Sequence, residues 1–518
     1  MRQLKHFILP VAVVFSALCC CGKSGGEDSG SDTPQTTVPS AITLSLSSIE
    51  AEAAGGSFDV TISAPFRPKV AIPSAAGWIS LQDGDWDKAK YTVTVTLTVS
   101  ANTTYEARER EADVTVSATG VPDVTLKVSQ AAGEKPDDPV PGDESKAVAR
   151  TRELGLGWNM GNHMDAINNG VSSETAWGNP KATQATFDGV KAAGFTSVRI
   201  PVTWMGHIGE APDYQIEDAW MNRVAEIVGY AENAGLNVIL NTHHDEDHGD
   251  GHWQNLKNAV DNATANESIK KEIAAVWSQI AAKFKDKGDF LMLESFNELI
   301  YGSEWYSNSD TQKKCDVINE WNQVFVDAVR ATGGNNATRW LGVPGYAASP
   351  SFLQYLTVPD DPAGKTMLAF HCYDPYDYTI GDKQLPDWGH TGTSYKNGEA
   401  EIKSLFSSIY SNYIARGIPI YMGEFGCSMR DKNNTQAWSF YLYYLEYVVK
   451  AAKTYNISAF LWDNGATGYG KECHAYINHG TGKYVGNSEA PVKAMVKAWS
   501  TENDSYTLES IYNKAPKF

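Results

Sequence analysis

The chain has 518 residues, 42% of them hydrophobic and 20% charged, a composition typical of a globular protein with more than one domain. Its 62 acidic and 43 basic side chains give a formal net charge of −19. That charge disfavours nucleic acid and anionic membrane surfaces as partners and suits a neutral substrate.

Residues 1–21 are predicted to form a targeting segment. A basic start precedes the mostly apolar stretch 7–18, which is too short to span a bilayer as a mature helix. With Leu18 three residues before Cys21, the pattern resembles a bacterial lipoprotein signal. The resemblance implies acylation of Cys21, or of Cys20, and an exported lipoprotein anchored at the outer membrane or cell surface. An ordinary secretory signal is the alternative.

A small all-β domain is predicted at 41–132, between a flexible linker at 22–40 and a proline-rich linker at 133–145. Its clearest strand, Tyr91–Val99, alternates apolar residues with threonines, which is typical of an immunoglobulin-like sandwich. Trp78-Ile79 and the ending 128–132 resemble the BACON module. We interpret the domain as a spacer, since no strand face carries an aromatic row; carbohydrate binding is the alternative.

From residue 146 to 518 the pattern alternates between strands and helices, so the fold class is α/β. Eight such strands without a glycine-rich phosphate loop favour a (β/α)8 barrel over a doubly wound sheet. The predicted strands are 155–160, 197–202, 238–242, 290–296, 340–343, 367–370, 420–423 and 459–462. Helices are predicted between them, at 183–193, 220–234, 267–284, 312–331 and 435–455.

Two of these strands end in glutamates, in the stretches 290–298 and 419–426. The C-terminal ends of barrel strands face the active site, so Glu298 and Glu424 are expected to meet there. Paired carboxyl groups are the minimum equipment for hydrolysing a glycosidic bond. Glu294 has the same strand parity as Glu298 but lies four residues deeper, where a structural, internally paired carboxylate is expected.

Further motifs make the resemblance specific: Gly157–Asn162, Glu174–Pro180, Val198–Trp204 and Leu461–Gly465. With the glutamate motifs they resemble glycoside hydrolase family 5, in particular its subfamily 4 of endo-β-1,4-glucanases and xyloglucanases. The family implies a (β/α)8 barrel and retention of anomeric configuration.

Carried over by position, the resemblance makes Glu298 the acid/base and Glu424 the nucleophile. It places Tyr373 as a hydrogen-bond donor to Glu424 and Asn297 on the sugar 2-hydroxyl. Arg199 is a nearby cation, expected to depress the pKa of Glu424. The remaining implied substrate-binding residues are Asn162, Trp204, His243, His244, His371 and Trp462, the last as the floor of the cleavage point.

The stretch 243–252 contains four histidines and four acids, but its spacing fits no zinc or calcium template. We therefore expect no metal and no cofactor. Trp204, Trp253, Trp305 and Trp388 are weaker candidates for the cleft, with loop packing as the alternative.

The sequence thus predicts a monomeric, membrane-anchored glycoside hydrolase: a retaining endo-β-1,4-glucanase that acts on plant β-glucan, with xyloglucan preferred. Nucleic acid is not expected as a partner. A xylanase or mannanase on the same barrel and a non-catalytic, glycan-binding surface lipoprotein are the alternatives.

Overall fold

The computed structural model describes residues 37–74, 76–100, 102, 109–131, 145–246, 252–306 and 310–518. The predicted targeting segment with Cys20 and Cys21 lies outside these residues, as do positions 22–36 and 133–144 of the predicted linkers. The described residues form two compact units, one before residue 132 and one after it.

The N-terminal unit is a sandwich of two four-stranded sheets, ordered β1-β3-β6-β5 and β2-β8-β7-β4. Its strands within the described ranges are β1 (Thr43–Leu44), β2 (Ser48–Ala51), β3 (Gly56–Ser63), β4 (Lys69–Ala71), β5 (Ile79–Gln82), β6 (Thr92–Val99), β7 (Arg110–Ala118) and β8 (Val121–Gln130). Strand β2 pairs with β8 in parallel, whereas the other neighbours are antiparallel. The predicted sandwich is confirmed.

The alternation along β6 explains this packing. Its valines and Leu97 are buried in the core, and its threonines lie on the other face. Trp78 and Trp86 both pack against that core, and the Arg110 guanidinium lies 4.6 Å from the Trp78 ring centroid. In the described part of this unit, Phe66 is the one exposed large aromatic side chain.

The C-terminal unit is a closed barrel of eight parallel strands, as predicted. Its described elements are α1 (Lys146–Leu154), β9 (Leu156–Met160), the hairpin β10 (Ile167–Asn168) and β11 (Val171–Ser172), α2 (Gln184–Ala193), β12 (Ser197–Ile200), α3 (Asp218–Asn233), β13 (Asn237–Asn241), α4 (Leu256–Asp261), α5 (Ala263–Phe284), β14 (Leu291–Glu294), α6 (Thr311–Ala331), β15 (Leu341–Pro344), β16 (Thr366–Cys372), α7 (Tyr376–Thr379), α8 (Gly398–Asn412), β17 (Ile420–Phe425), α9 (Thr435–Thr454), β18 (Ser458–Asp463), α10 (Glu489–Ser500) and α11 (Leu508–Tyr512). Short 3-10 helices cover Gly334–Ala337, Tyr346–Ala348, Pro350–Tyr355 and Ile414–Arg416.

The barrel strands follow one another in chain order, and β18 closes the ring against β9. Helices on the outside bury one apolar face each against the strands, which places the large hydrophobic core between the two layers. Among the helices that the structure describes, none combines the length and the apolar character needed to cross a bilayer.

Inside the barrel, an apolar layer lies beneath the polar site. Ile239, Met292, Ala369, Tyr421 and Phe460 form it together with Leu154 and Met367, all fully buried. Where a large side chain from one strand fills the barrel interior, the neighbouring strand has room only for a small residue beside it. A Cβ on Gly157 would lie 2.1 Å from the Phe460 ring, and one on Gly161 would lie 2.6 Å from the Trp462 ring.

This requirement generates a prediction. We expect Gly157→Ala to lower the free energy of unfolding by about 1–3 kcal/mol, because Phe460 has to leave its position. The matched control is Gly229→Ala within α3, where an added Cβ meets nothing within 4 Å. It should raise stability by about 0.5–1 kcal/mol through helix propensity. Denaturant unfolding of both variants measures the two effects, and equal stabilities would contradict the packing argument.

Candidate active site

Arg199 on β12 lies at the centre of the polar layer and is fully buried. Its Nε and Nη2 donate to Glu294 Oε1 at 3.0 and 2.6 Å, and its Nη1 donates to Glu424 Oε1 at 2.8 Å. Asn297 Oδ1 and Asn159 Oδ1 accept further hydrogen bonds from the same guanidinium, at 2.9 and 3.1 Å. One buried cation therefore positions two carboxylates and two amides that come from β9, from β17, and from β14 and the residues directly after it.

Glu294 is the structural carboxylate that the sequence predicted. It is 1% exposed and accepts hydrogen bonds from Arg199, from Asn241 Nδ2 at 2.9 Å and from the Tyr421 hydroxyl. Because both of its oxygens already accept hydrogen bonds inside the barrel, Glu294 is not available to contact a substrate. It serves as the internal counter-charge of Arg199.

Glu424 lies near the end of β17 at the edge of the cleft, with 7% of its side chain exposed. Its Oε1 accepts from Arg199, and its Oε2 accepts from the Tyr373 hydroxyl at 2.9 Å. Burial raises the pKa of Glu424, while His371, Arg199 and Tyr373 oppose the rise. The expected depression of this pKa is wrong, because burial outweighs the favourable contacts.

Glu298 lies four residues beyond the end of β14, and 21% of its side chain is exposed. Its Oε1 is 2.6 Å from His371 Nδ1, and His371 Nδ1 is 3.8 Å from Glu424 Oε1. Facing atoms of the two carboxylates and of the His371 ring all lie within 4.8 Å of one another. Burial lowers the pKa of His371 to about 4, so this imidazole is neutral at neutral pH.

Three aromatic rings of the site contact one another, and one of them, His243, is only 1% exposed. His243 stacks on Trp462 with ring centroids 5.8 Å apart and planes 10° apart, and His244 meets His243 edge-on at 4.4 Å. Trp462 is 8% exposed. Burial, reinforced by the charges on His244 and Arg199, lowers the pKa of His243 well below its usual range.

The asparagines predicted in the site are both near it. Asn297 is buried, and its Oδ1 is occupied by Arg199, which leaves its amide nitrogen as the available donor. Asn162 is half-buried in the turn after β9, with a φ of 53°. Its N–H donates to Asp165 Oδ2 at 3.0 Å, and its carbonyl accepts from Asn179 Nδ2 at 2.8 Å.

Residues 161–468, more than half of the chain, match the family model described as cellulase, glycosyl hydrolase family 5. The chain belongs to glycoside hydrolase family 5. Residues 69–131 match the BACON family model. The chain is therefore a glycoside hydrolase of the endo-β-1,4-glucanase family, and a purely binding lipoprotein is not supported.

Individual family 5 members resemble much of the chain. A xyloglucan-specific endo-β-1,4-glucanase of Bacteroides ovatus is 32% identical over 429 residues, covering 77% of this chain and 83% of its own. A solved Bacteroidetes-affiliated cellulase linked with a polysaccharide utilization locus is 43% identical, covers 72% of this chain and 98% of its own, and has a TM-score of 0.69. A solved subfamily 4 broad-specificity endoglucanase of Bacteroides salanitronis is 48% identical, with coverages of 69% and 94% and a TM-score of 0.65.

Trp204 is not part of the family 5 cleft in this chain. It is fully buried, and its Nε1 donates to the Asn241 carbonyl at 3.3 Å. Its assignment as a substrate-binding residue is therefore wrong, because its indole packs into the core behind the strand end. Trp388 is likewise fully buried, whereas Trp305 is 48% exposed and Trp253 donates from Nε1 to Asp245 at 2.9 Å.

Sequence reasoning missed four residues that support the site: Asn159, Asn241, Tyr421 and Asp165. The sequence carried a signal for the two asparagines, because alternate residues of a strand face the same side. Asn159 has the same strand parity as the neighbouring residues that face Arg199, and Asn241 has the same parity as Ile239, which faces the barrel interior. Tyr421 gave none, because it has the opposite parity to Glu424. Tyr421 and Glu424 both face the barrel interior only because the register of β17 shifts between Met422 and Phe425.

Metal binding has no clear support in the site. Among the described residues, ligand-type atoms approach within 4.8 Å in two places, Glu298–His371–Glu424 and Asp165–His243–His244. Within each group, side chains already contact one another through a hydrogen bond or an ion pair. Family 5 chemistry needs only the carboxyl groups. We assign no metal to either group. His248, in the acidic stretch, lies outside the described residues.

The pairing of Arg199 with Glu294 generates a stability prediction. Glu294→Gln should lower the free energy of unfolding by about 3–5 kcal/mol, because it removes a charge from a fully buried ion pair. Glu232→Gln is the control: it breaks an ion pair with Lys287 in which both side chains are more than one third exposed, and should cost under about 1 kcal/mol. Urea unfolding of both variants distinguishes these outcomes, and similar costs would contradict the role given to Glu294.

Proposed function

We propose that the protein is a retaining endo-β-1,4-glucanase in which Glu298 is the acid/base and Glu424 the nucleophile. The observation that carries this proposal is the approach of the two carboxylates to within 4.8 Å. Retaining enzymes keep these groups about 5–5.5 Å apart, whereas inverting enzymes need about 6.5–9.5 Å to admit a water molecule.

The surroundings of each glutamate suit its proposed role. Glu298 is the more exposed of the two and contacts a neutral imidazole, so its acid form can donate its proton to His371 Nδ1 or to a glycosidic oxygen. Glu424 accepts one hydrogen bond on each oxygen, from Arg199 and from Tyr373, which orients its carboxylate. The negative charge on either carboxylate disfavours ionisation of the other.

In the proposed reaction, Glu298 protonates the leaving oxygen while Glu424 attacks the anomeric carbon to form a glycosyl-enzyme. Water then attacks that carbon, with Glu298 accepting its proton. The Asn297 amide is positioned to donate to a sugar hydroxyl, and Trp462, with His243 stacked against it, forms an aromatic surface for the sugar.

A plant β-glucan, with xyloglucan preferred, is the proposed substrate. The net charge of −19 suits a neutral polymer, and exposed aromatic side chains lie in the segments that follow four barrel strands: Trp177, Trp305, Tyr306, Tyr376 and Tyr469. The Bacteroides ovatus relative, whose name specifies xyloglucan, supports this preference. A xylanase or mannanase on the same barrel is the enzymatic alternative.

Release of reducing ends from xyloglucan, barley β-glucan, xylan and mannan tests this function. We expect cleavage of the glucans, with xyloglucan cleaved fastest and products of mixed length. Glu424→Ala and Glu298→Gln should each lower kcat by several orders of magnitude while the protein remains folded, because each removes a reacting group. Azide should restore turnover to Glu424→Ala and give a product of inverted configuration.

The outcomes separate the alternatives. Preferential release from xylan or mannan would replace the substrate while leaving the mechanism in place. Near-normal turnover in Glu424→Ala would contradict the nucleophile assignment. Folded protein without activity on any of the four polymers would contradict the whole proposal.

The N-terminal sandwich is proposed to act as a spacer. Its two tryptophans pack against its own core, Arg110 covers Trp78, and Phe66 is the one exposed large aromatic side chain in the described part of the unit, so the described surface offers no row of aromatic rings for a sugar chain.

Export and lipid anchoring through Cys21, or Cys20, at the outer membrane or cell surface are proposed from the N-terminal pattern alone. Changing Cys19, Cys20 and Cys21 together to alanine should move the protein from the membrane fraction to the soluble fraction, because no acyl chain can be attached. Fractionation with immunodetection measures this, with Cys473→Ala as the control. A triple variant that stays with membranes would contradict the anchor.

A further inference from the structure

His244 is held between two carboxylates on opposite sides of its ring. Its Nδ1 is 3.2 Å from Glu246 Oε1, and its Nε2 is 3.7 Å from Asp165 Oδ2. Asp165 is fully buried in the turn after β9, where it also accepts from the N–H groups of Asn162 and His163 at 3.0 and 2.6 Å. Glu246 is 2% exposed.

Such a setting favours the doubly protonated imidazole. Burial opposes the charge on His244, but Glu246, Asp165 and Glu424 outweigh it and raise the pKa to about 9. The positive charge is therefore present below that pH and is lost as the pH rises through it. Among the residues that the structure describes, the charged or titratable groups that face His244 are these three carboxylates and His243, which is neutral.

One ring proton of His244 remains available to a ligand. The 3.7 Å between Nε2 and Asp165 Oδ2 exceeds hydrogen-bond distance, whereas Nδ1 is within reach of Glu246. The side chain is 28% exposed, and its ring centroid is 5.6 Å from that of Trp177, an indole that is itself 45% exposed. A sugar that stacks on Trp177 would bring its hydroxyls to this N–H.

We propose that Asp165 and Glu246 are positioning residues that hold His244 as a charged donor to a substrate hydroxyl beside Trp177. The idea rests on the proposed function, since it assigns the donor to the β-glucan cleft. A charge-assisted hydrogen bond is roughly twice as strong as a neutral one. Loss of the charge should therefore weaken binding of the sugar and leave the chemical step at Glu298 and Glu424 little changed.

The protonation state is tested in the full chain labelled with 15N-histidine. The signal of His244, identified by its loss in His244→Gln, should show both ring nitrogens protonated at neutral pH and titrate near pH 9. Glu246→Gln should move that titration to lower pH. A neutral His244 at neutral pH would overturn the proposal. This measurement needs no activity, so it stands apart from a failure of the proposed function.

The consequence for binding is tested with cellohexaose. Glu246→Gln should raise KM roughly tenfold at about pH 8.5 but much less at about pH 6, where His244 is protonated in both proteins. Its kcat should stay within about threefold of the wild-type value. Glu217→Gln is the matched control, because it removes the carboxylate of another His–Glu pair, His207–Glu217 at 2.6 Å. An equal rise in KM at both pH values would overturn the proposal, since a merely structural carboxylate has that effect.

Discussion

A buried guanidinium is costly to desolvate, and Arg199 is fully buried beneath the cleft. Two carboxylates offset that cost, and one of them, Glu424, is the proposed nucleophile. In the proposed reaction, Glu424 loses its negative charge when it bonds to the sugar. Glu294, held by Asn241 and Tyr421, then remains as the counter-charge, so the cation stays neutralised through the reaction. The interaction that stabilises the barrel interior thus also permits the covalent step.

The layers of the barrel follow from this constraint. Below Arg199 the barrel interior is filled by apolar side chains, Ile239 and Phe460 among them. They keep water away from the ion pairs, which strengthens the electrostatic attraction. Above it, the carboxylates of Glu424 and Glu298 reach the cleft. Glycines in β9 and directly after it allow this filling, because a Cβ on Gly157 or Gly161 would enter the rings of the neighbouring strand. Packing density and electrostatics are therefore determined by the same few positions.

Much of this arrangement could be predicted from the sequence. All eight barrel strands lie within a few residues of their predicted bounds, because buried parallel strands are continuous apolar runs. The approach of Glu298 to Glu424 followed from their positions after such runs. Trp204 could not be placed, since a residue beyond a strand end can face either cleft or core. Nor could Tyr421, because a register shift on β17 breaks the alternation on which parity arguments rely.

The pKa of Glu424 was predicted in the wrong direction for a related reason: a sequence shows which cation is near but not how deeply the pair is buried. The pKa values of the site histidines depend in the same way on burial and on neighbouring charges. His243 and His371 are buried beside Arg199 and are neutral, whereas His244 has carboxylates at both nitrogens and is charged. Burial, reinforced by the charge on His244, lowers the pKa of His243, which keeps the ring stacked on Trp462 neutral. Protonation in the cleft is therefore set by contacts between strands that are distant in sequence.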